Sequence, residues 1–267
     1  MKTLKALVAM CGLLIAANAS AQSAVSEEFQ KFRSIMEEDN PAELFEAIGE
    51  EYWYTKAGPR NASLEACDLG LGPGVIKGAY AQMPRYFADV DQIMDAETRI
   101  VHCMETLQGF SHEEVTKQPF SNDKGTPNHV SVLTYVASQS KGMPIALPQS
   151  HPKEREAYAV GKEMFNYRAG PYDFSCATCH GTEGKRIRMQ DLPNLTTRDG
   201  AAKSVLGWPG YRITGGRMLT LQWRMNDCFR QQRFPQPKYV SEAVSVLLTY
   251  MGVTANGTMY TGPGIKR

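Results

Sequence analysis

The chain has 267 residues, of which 42% are hydrophobic and 21% charged, with 23 Gly, 15 Pro, six Cys and five His. This composition is typical of one or two globular domains, and it excludes collagen-like, coiled-coil and fully disordered proteins. The formal net charge is only +1, so the chain lacks the concentrated basic surface that binding to nucleic acid requires.

The first 21 residues have the pattern of a secretory signal peptide. Lys2 and Lys5 give a basic start, residues 7–17 are mostly apolar, and residues 19–21 read A-S-A, a small-x-small cleavage site. Cleavage would remove two of the 29 basic residues against 28 acidic ones, which leaves a net charge of −1. No other segment approaches the roughly 20 apolar residues that cross a bilayer. We therefore predict an exported protein without a membrane span; the alternative is an uncleaved N-terminal anchor.

Three stretches have the apolar spacing of helices, namely residues 26–45, 154–167 and 241–250, whereas the segments around the cysteines are rich in Gly, Pro and Thr. This pattern predicts a mainly α fold with much irregular coil. Residues 141–152 carry three prolines and are predicted to form an extended linker. Residues 252–267 are rich in glycine and are predicted to form a surface arm.

Residues 176–180 read C-A-T-C-H, the attachment motif of c-type haem. Two thiols one helical turn apart meet the two vinyl groups on one edge of the porphyrin, and the adjacent imidazole faces the iron. We therefore predict that Cys176 and Cys179 form thioethers and that His180 is an iron ligand. One alternative is a redox-active cysteine pair, but the preceding strand and flanking aromatic residues typical of such pairs do not occur here. The other is half of a zinc site, but the sequence has no second ligand pair at similar spacing.

The two halves of the chain resemble each other. Residues 84–103 and 209–228 align without a gap, and both begin with Pro-x-Tyr and end in Arg-x-x-x-Cys. Farther along, residues 131–135 read S-V-L-T-Y and residues 245–250 read S-V-L-L-T-Y. Chance is the alternative explanation, because each pattern is common by itself. The joint register favours an internal repeat.

Residues 22–150 and 151–267 are accordingly predicted to be two tandem cytochrome c-like domains, of which only the second holds haem. Residues 64–68 of the first read L-E-A-C-D, where the second has C-A-T-C-H. One thiol, Cys67, therefore remains, and aspartate replaces the histidine. If Cys67 and Cys103 both face the vacated pocket in an oxidising compartment, they form a disulfide that closes a loop of about 36 residues and stabilises the fold by about 2–4 kcal/mol.

Cys228 is then the cysteine of the mature chain that has neither haem nor a partner. It lies in a polar and basic segment, residues 222–233, with Arg224 four positions earlier. Since guanidinium groups stabilise thiolates and hold oxyanions, Cys228 is predicted to be a thiolate ligand of the iron and a sulfur nucleophile. A buried, unreactive cysteine is the alternative. The methionines that could instead take the sixth position of the iron are Met189, Met218, Met225, Met251 and Met259.

With these residues the chain resembles SoxA, the c-type cytochrome subunit of the SoxAX complex of bacterial thiosulfate oxidation, in its single-haem form. The resemblance covers essentially the whole mature chain: tandem modules, C-x-x-C-H in the second only, Cys67 and Cys103 in the first, and Arg-x-x-x-Cys ending at Cys228. It implies one covalent haem c with His180 and Cys228 as axial ligands, Cys228 often being a persulfide, and it implies that Arg224 contacts the substrate.

The resemblance also implies the activity and the partners. The activity is that of an L-cysteine S-thiosulfotransferase, which conjugates thiosulfate oxidatively to a cysteine of the carrier protein SoxYZ in the periplasm. The smaller haem subunit SoxX is the implied partner in a heterodimer. Cys228 is the expected catalytic residue, and Arg230 or Arg233 could assist Arg224 in binding thiosulfate. Two other classes stay open: a simple electron-transfer cytochrome with a methionine sixth ligand, and a scaffold subunit whose partner holds the active sulfur.

Overall fold

The computed structural model describes residues 31, 35, 39–187 and 190–266. The predicted signal peptide, most of the predicted helix at residues 26–45 and the candidate ligand Met189 therefore lie outside the described residues. From Pro41 onward the chain forms a single compact unit. In the described part of that unit, no helix is long and apolar enough to cross a membrane.

Helices provide most of the regular structure of the described residues, as the sequence predicts. Their bounds are α1 Ala42–Tyr54, α2 Ala96–Cys103, α3 His112–Thr116, α4 Asn128–Ser138, α5 Pro152–Asn166, α6 Cys176–His180, α7 Arg198–Val205, α8 Leu221–Gln231 and α9 Glu242–Thr254. Helix α2 continues into a π-helical turn, Met104–Gln108. Helices α5 and α9 agree with the predicted helices to within a few residues, whereas α1 begins near the end of the first predicted helix and extends beyond it.

In the part of the chain that the structure describes, the strands are short and form three small sheets. Their bounds are β1 Arg85–Phe87, β2 Gln92–Met94, β3 Arg186–Ile187, β4 Gln190–Asp191, β5 Gly210–Arg212, β6 Arg217–Leu219 and β7 Gly264–Lys266. Strands β1 and β2 pair antiparallel, as do β3 and β4. In the third sheet β5 lies in the centre, antiparallel to β6 and parallel to β7.

Residues 141–152, predicted to be a linker, and residues 252–267, predicted to be a surface arm, both contain buried residues. Residues 141–152 are extended, but Ile145 and Leu147 within them are buried. The C-terminal segment lies against them, since the amide of Tyr260 donates to the carbonyl oxygen of Met143 at 2.8 Å, and Tyr260 is only 1% exposed. The prediction of a surface arm was therefore wrong. Its glycines allow close approach to neighbouring segments, since a Cβ on Gly262 or Gly264 would lie about 3.1 Å from a carbonyl oxygen of Leu206 or Gly207. The segment ends as β7 of the third sheet.

The same local architecture occurs twice. An antiparallel hairpin leads into a helix in β1–β2–α2 and again in β5–β6–α8, and the two helices are capped by Asp95 and Thr220, which stand 125 positions apart. Helix α1 packs on α4, and α5 packs on α9. Each crossing is made at a glycine: a Cβ on Gly49 or Gly161 would collide with a carbonyl oxygen of the facing helix.

Each half also has its own hydrophobic core. The first surrounds Cys67 and Cys103 and includes Trp53, Leu69 and Ile100. The second lies beneath the haem motif; its buried members include Phe165, Leu195, Val205, Met225, Leu247 and Met251. Burial of apolar surface stabilises both cores. The division of the chain into two domains at residue 150 stays a prediction.

A buried polar network joins the N-termini of α2 and α8. Asp95, the cap of α2, accepts hydrogen bonds from Gln222 Nε2 at 2.9 and 3.0 Å and from Ser245 Oγ at 2.6 Å. In the reverse direction Glu97, the second residue of α2, bonds to the side chain of Thr220, the cap of α8, and accepts from the Tyr239 hydroxyl at 2.9 Å. Because buried polar groups are costly unless paired, this reciprocal arrangement fixes where α8 begins.

Glu97 makes the stability of this junction depend on pH. Burial, reinforced by the neighbouring Asp95, raises the pKa of Glu97 to about 8 from the ordinary value of 4.5. The folded protein therefore keeps a proton that the unfolded chain releases above pH 4.5. The contribution to the free energy of unfolding is complete below pH 4.5 and is lost as the pH rises through 8, at a slope of at most about 1.4 kcal/mol per pH unit.

We predict that Glu97→Gln flattens this pH dependence, because the amide cannot ionise. Urea unfolding followed by circular dichroism at several pH values between 5 and 8 measures the slope. The matched control is Glu113→Gln, which changes an exposed glutamate of α3. If the slope of Glu97→Gln equals that of the control and of the wild type, the proton is not held at Glu97.

Candidate haem and sulfur site

The haem motif forms the short helix α6. Ser175 caps it, because its Oγ accepts a hydrogen bond from the amide of Thr178 at 3.2 Å, and the Thr178 hydroxyl in turn accepts from the amide of Ser175. This reciprocal capping holds five residues in helical form despite the Gly-rich surroundings. Cys176 and Cys179 are thereby placed about one turn apart, and both are only half-buried.

The imidazole of His180 is fixed by a backbone carbonyl. Its Nδ1 lies 2.9 Å from the oxygen of Pro193, which can only accept, so Nδ1 carries the proton and Nε2 keeps its lone pair. The amide of Leu195 donates back to the carbonyl oxygen of His180 at 2.9 Å. Burial lowers the pKa of His180, and the charge of Arg224 adds to this effect. A neutral imidazole oriented by a second group is the form that binds iron.

Helix α8 brings Cys228 to the haem motif. The thiol of Cys228 interacts electrostatically with the thiols of both Cys176 and Cys179. Arg224 lies one turn earlier on the same face of α8, and its charge acts on His180. The structure therefore brings together the five residues that the sequence singles out for haem and sulfur chemistry.

The Cys228 thiol is not made acidic by its arginine. Burial raises its pKa above the ordinary value, Arg224 opposes this effect, and Asp227 adds to it. Arg224 thus favours the thiolate form, as the sequence predicts, but burial outweighs this effect. Burial also raises the pKa of Cys176 to about 11. A metal ion deprotonates a thiol that binds to it, so the two findings together fit a cysteine that ionises on ligation.

Asp227 organises the polar side of α8, a role that the sequence analysis missed. Its carboxylate accepts from Arg224 Nη1 at 3.3 Å, Arg230 Nη2 at 2.6 Å and Gln231 Nε2 at 2.7 Å. The Asp227 side chain is only 11% exposed, against 41% for Arg224 and 63% for Arg230. The signal was present in the sequence, since Asp227 is three positions from each arginine and adjacent to the cysteine.

The surroundings of α6 suit a flat apolar cofactor. Cys176, Ala177, Leu221 and Phe229 are partly buried against the second core. Large apolar side chains beside the motif remain exposed: Tyr172, Phe174 and Ile187. Two thiols, an oriented histidine and exposed apolar side chains close to them in the sequence fit haem c. Among the described residues no set of three or more His, Cys, Asp or Glu is arranged to hold a metal ion directly.

The candidate methionines lie in different surroundings. Met218 is fully buried with Ala42 and Val130, in a cluster separate from the second core. Met225 and Met251 are buried as members of the second core, as methionine side chains often are. Met259 is 51% exposed, and its backbone bridges to Pro144. The described methionines thus have packing or surface positions.

In the first half, the counterparts of the haem motif, of Cys228 and of Arg224 are bonded to other protein groups. Cys67 and Cys103 form the predicted disulfide, and both are buried. Asp68, which stands where the second half has histidine, accepts from the amides of two loop glycines at 2.6 and 3.0 Å. Arg99, the counterpart of Arg224, is buried, donates to Asp89 at 2.8 Å and stacks on Phe87 at 4.2 Å. These groups are engaged with one another rather than open to a ligand.

Comparison with known proteins gives consistent matches. Residues 48–145 match the family model described as SoxA/TsdA, cytochrome c domain. A protein of Hydrogenophilus thermoluteolus named L-cysteine S-thiosulfotransferase subunit SoxA is 46% identical to this chain over 100% of it and 99% of the relative. A protein of the same name from Hydrogenobacter thermophilus is 33% identical over 91% of this chain and 89% of the relative.

The fold is also similar to a solved structure. The structure described as SoxXA from P. pantotrophus superposes with a TM-score of 0.72, covering 89% of this chain and 84% of that chain at 26% identity. The family-model match falls on the half that lacks C-x-x-C-H, so the cytochrome c pattern is recognisable there without the haem-binding residues.

We predict that Cys67→Ser weakens the fold and leaves the haem spectrum unchanged. Loss of a cross-link between residues 36 positions apart lowers the free energy of unfolding by about 2–4 kcal/mol. Urea unfolding measures this loss, and the absorption spectrum monitors the haem. Cys103→Ser serves as the matched variant, and the double variant should lose no more than either single one. A bleached spectrum in these variants would contradict a purely structural role for the disulfide.

Proposed function

The chain belongs to the SoxA family of L-cysteine S-thiosulfotransferase subunits, and from this premise we propose that it conjugates thiosulfate to a carrier cysteine with Cys228 as the sulfur centre. The observation that carries the assignment is the position of α8. The Cys228 thiol of this helix interacts electrostatically with Cys176 and Cys179, and Arg224 stands one turn earlier on the same face. The fold is cytochrome c-like, as in other SoxA proteins.

We propose that one haem c would be attached through Cys176 and Cys179 and that His180 and Cys228 would bind its iron. The free Nε2 of His180 and the half-buried Cys228 thiol support this arrangement. Bound haem would supply the acceptor for electrons released when a sulfur–sulfur bond forms. A second haem is not proposed, because the first half has one thiol in place of two and aspartate in place of the histidine.

The proposed architecture is two tandem cytochrome c-like domains, residues 22–150 and 151–267, related by an internal repeat. Its support is the recurrence of the hairpin, the capped helix and the helix crossing at glycine in both halves. The cytochrome c family match on residues 48–145 adds to it. The packed segment at residues 141–152 makes the two domains one structural unit.

In the first proposed step, Arg224 holds the sulfonate end of thiosulfate while the outer sulfur meets Cys228. A bond forms between the outer sulfur and the Cys228 sulfur, or a sulfur already attached to it, and two electrons leave. If Cys228 begins as a thiol, one proton also leaves. Positive charge at Arg224 favours binding of the dianion, and its fork of N–H donors matches the sulfonate oxygens.

In the second proposed step, the thiolate of the carrier cysteine attacks the outer sulfur. The bond between that sulfur and the sulfur at Cys228 breaks, so Cys228 recovers its thiolate and the carrier keeps a cysteine S-thiosulfonate. This is thiol exchange and requires no further oxidant. Partial exposure of Cys228 leaves a path for a carrier segment.

The proposed partners follow from the names of the relatives and from the predicted export. SoxX is the proposed haem subunit of a heterodimer, as the description of the similar SoxXA structure suggests. SoxYZ is the proposed carrier and thiosulfate the substrate. The N-terminal signal pattern supports the periplasm as the location, where disulfides and covalent haem form.

A simple electron carrier is not favoured. It would require a methionine ligand and would leave Cys228 without a role, yet the buried methionines pack in cores, whereas Cys228 lies beside the haem-binding thiols. The relatives are named as subunits of a transferase, which also favours a transferase over an electron carrier.

We predict that Cys228→Ala abolishes thiosulfate-dependent turnover while the haem stays attached. Removal of a nucleophile lowers the rate by at least about a thousandfold. The assay is reduction of an electron acceptor by thiosulfate, with SoxX and SoxYZ present, beside the absorption spectrum of each variant. A Cys228→Ala protein with normal turnover would refute the sulfur-centre assignment and leave the electron carrier.

Arg224→Ala separates the transferase from a scaffold subunit. Because a hydrogen bond to a charged group contributes about 1.5–3 kcal/mol, the variant should lose about 10- to 100-fold in kcat/KM for thiosulfate, with haem content and assembly with SoxX unchanged. Arg224→Lys tests whether charge without the planar fork suffices. Unchanged kcat/KM in Arg224→Ala would show that thiosulfate binds elsewhere.

A further inference from the structure

We propose that thiosulfate is received by two arginines, Arg224 and Arg230, and that Asp227 is the positioning residue that holds them as a pair. This inference rests on the proposed function and specifies how its substrate site is built. The sequence leaves Arg230 and Arg233 equal as candidates for the second arginine. The contacts of the two residues separate them.

Asp227 bonds to both members of the proposed pair. One carboxylate oxygen accepts from Arg224 and the other from Arg230, at 3.3 and 2.6 Å. Gln231 donates to the same oxygen as Arg224, at 2.7 Å, so the carboxylate itself is held in place. Asp227 therefore lies between the two guanidinium groups and holds both at one carboxylate, directly before Cys228 in the sequence.

The arginines keep donors for a ligand. Each guanidinium has five N–H groups, and in each only one nitrogen is bonded to Asp227. The two guanidinium groups and the carboxylate together carry one net positive charge, which attracts an anion. A sulfonate group, with three acceptor oxygens, can bond to both arginines at once.

Arg233 is directed elsewhere. It has a left-handed backbone conformation, with φ of 55°, just after α8 has ended. Its guanidinium lies over the ring of Tyr172, 5.6 Å from the ring centroid. A cation–π contact of this kind holds Arg233 against the loop before the haem motif rather than beside Asp227.

The kinetic effects of the two arginines should therefore differ. Since the loss of one charge-assisted contact corresponds to about a tenfold change in binding, we expect Arg230→Ala to raise KM for thiosulfate about tenfold with kcat changed less than about threefold. Arg233→Ala, the matched control three positions away, should leave KM within about twofold of the wild type. The Arg230 side chain is largely exposed, so its removal leaves the fold intact.

Asp227→Asn tests the positioning role. The amide keeps the shape and loses the charge that holds both guanidinium groups, so we expect KM to rise about three- to tenfold with the haem spectrum unchanged. Asp227→Glu should restore part of this loss. In the Asp227→Asn, Arg230→Ala double variant the two effects should not multiply, because both remove the same arrangement. A purely structural aspartate would instead change thermal stability without a change in KM.

All variants are assayed as haem-loaded complexes with SoxX, with thiosulfate as the varied substrate and Cys228→Ala in parallel. If Cys228→Ala is inactive but Arg230→Ala has the KM of the wild type, or Arg233→Ala has the larger effect, the two-arginine site is wrong and the proposed function stands. If the effects of Asp227→Asn and Arg230→Ala multiply, the positioning role of Asp227 is wrong. If Cys228→Ala is active, the proposed function itself fails.

Discussion

The account depends on where α8 lies, because this helix alone carries the thiol and the arginine that must face the haem motif. The start of α8 is fixed at its buried junction with α2. There Gln222 of α8 bonds to Asp95, the cap of α2, and Glu97 of α2 bonds to Thr220, the cap of α8. Cys228 lies six positions after Gln222 on the same helix, so a displacement at the junction would move the thiol as well. The first half, which has no haem motif, therefore contributes to the site by holding α8.

The same arrangement of hairpin and capped helix ends in a disulfide-bonded cysteine in the first half and in a free cysteine in the second. In the first, the cysteine at the end of the helix is used up in a disulfide and the arginine is buried between an aspartate and a phenylalanine ring. In the second, the cysteine stays free and the arginine reaches solvent. The difference lies in a few residue types, since the hairpin, the capped helix and the helix crossing at glycine recur.

The sequence predicts much of this molecule, for identifiable reasons. The haem motif could be inferred because covalent attachment requires two thiols and a histidine at a fixed spacing. The disulfide between Cys67 and Cys103 could be inferred because the repeat places both cysteines at one vacated pocket. The packed C-terminal segment was missed, because glycines read as flexible in sequence while Tyr260 is buried by the fold. The raised pKa of Cys228 was missed because desolvation depends on all neighbouring elements, whereas the adjacent arginine is visible in the sequence. Pro193, which orients His180, lies 13 positions beyond it and leaves no local signal.

The most direct measurement is the electron paramagnetic resonance spectrum of the ferric wild-type protein, recorded beside that of Cys228→Ala. The account predicts a low-spin signal typical of imidazole and thiolate ligands, which is lost or replaced in the variant. A spectrum of histidine and methionine ligation that is identical in both proteins would contradict it, since sulfur at residue 228 would then lie away from the iron.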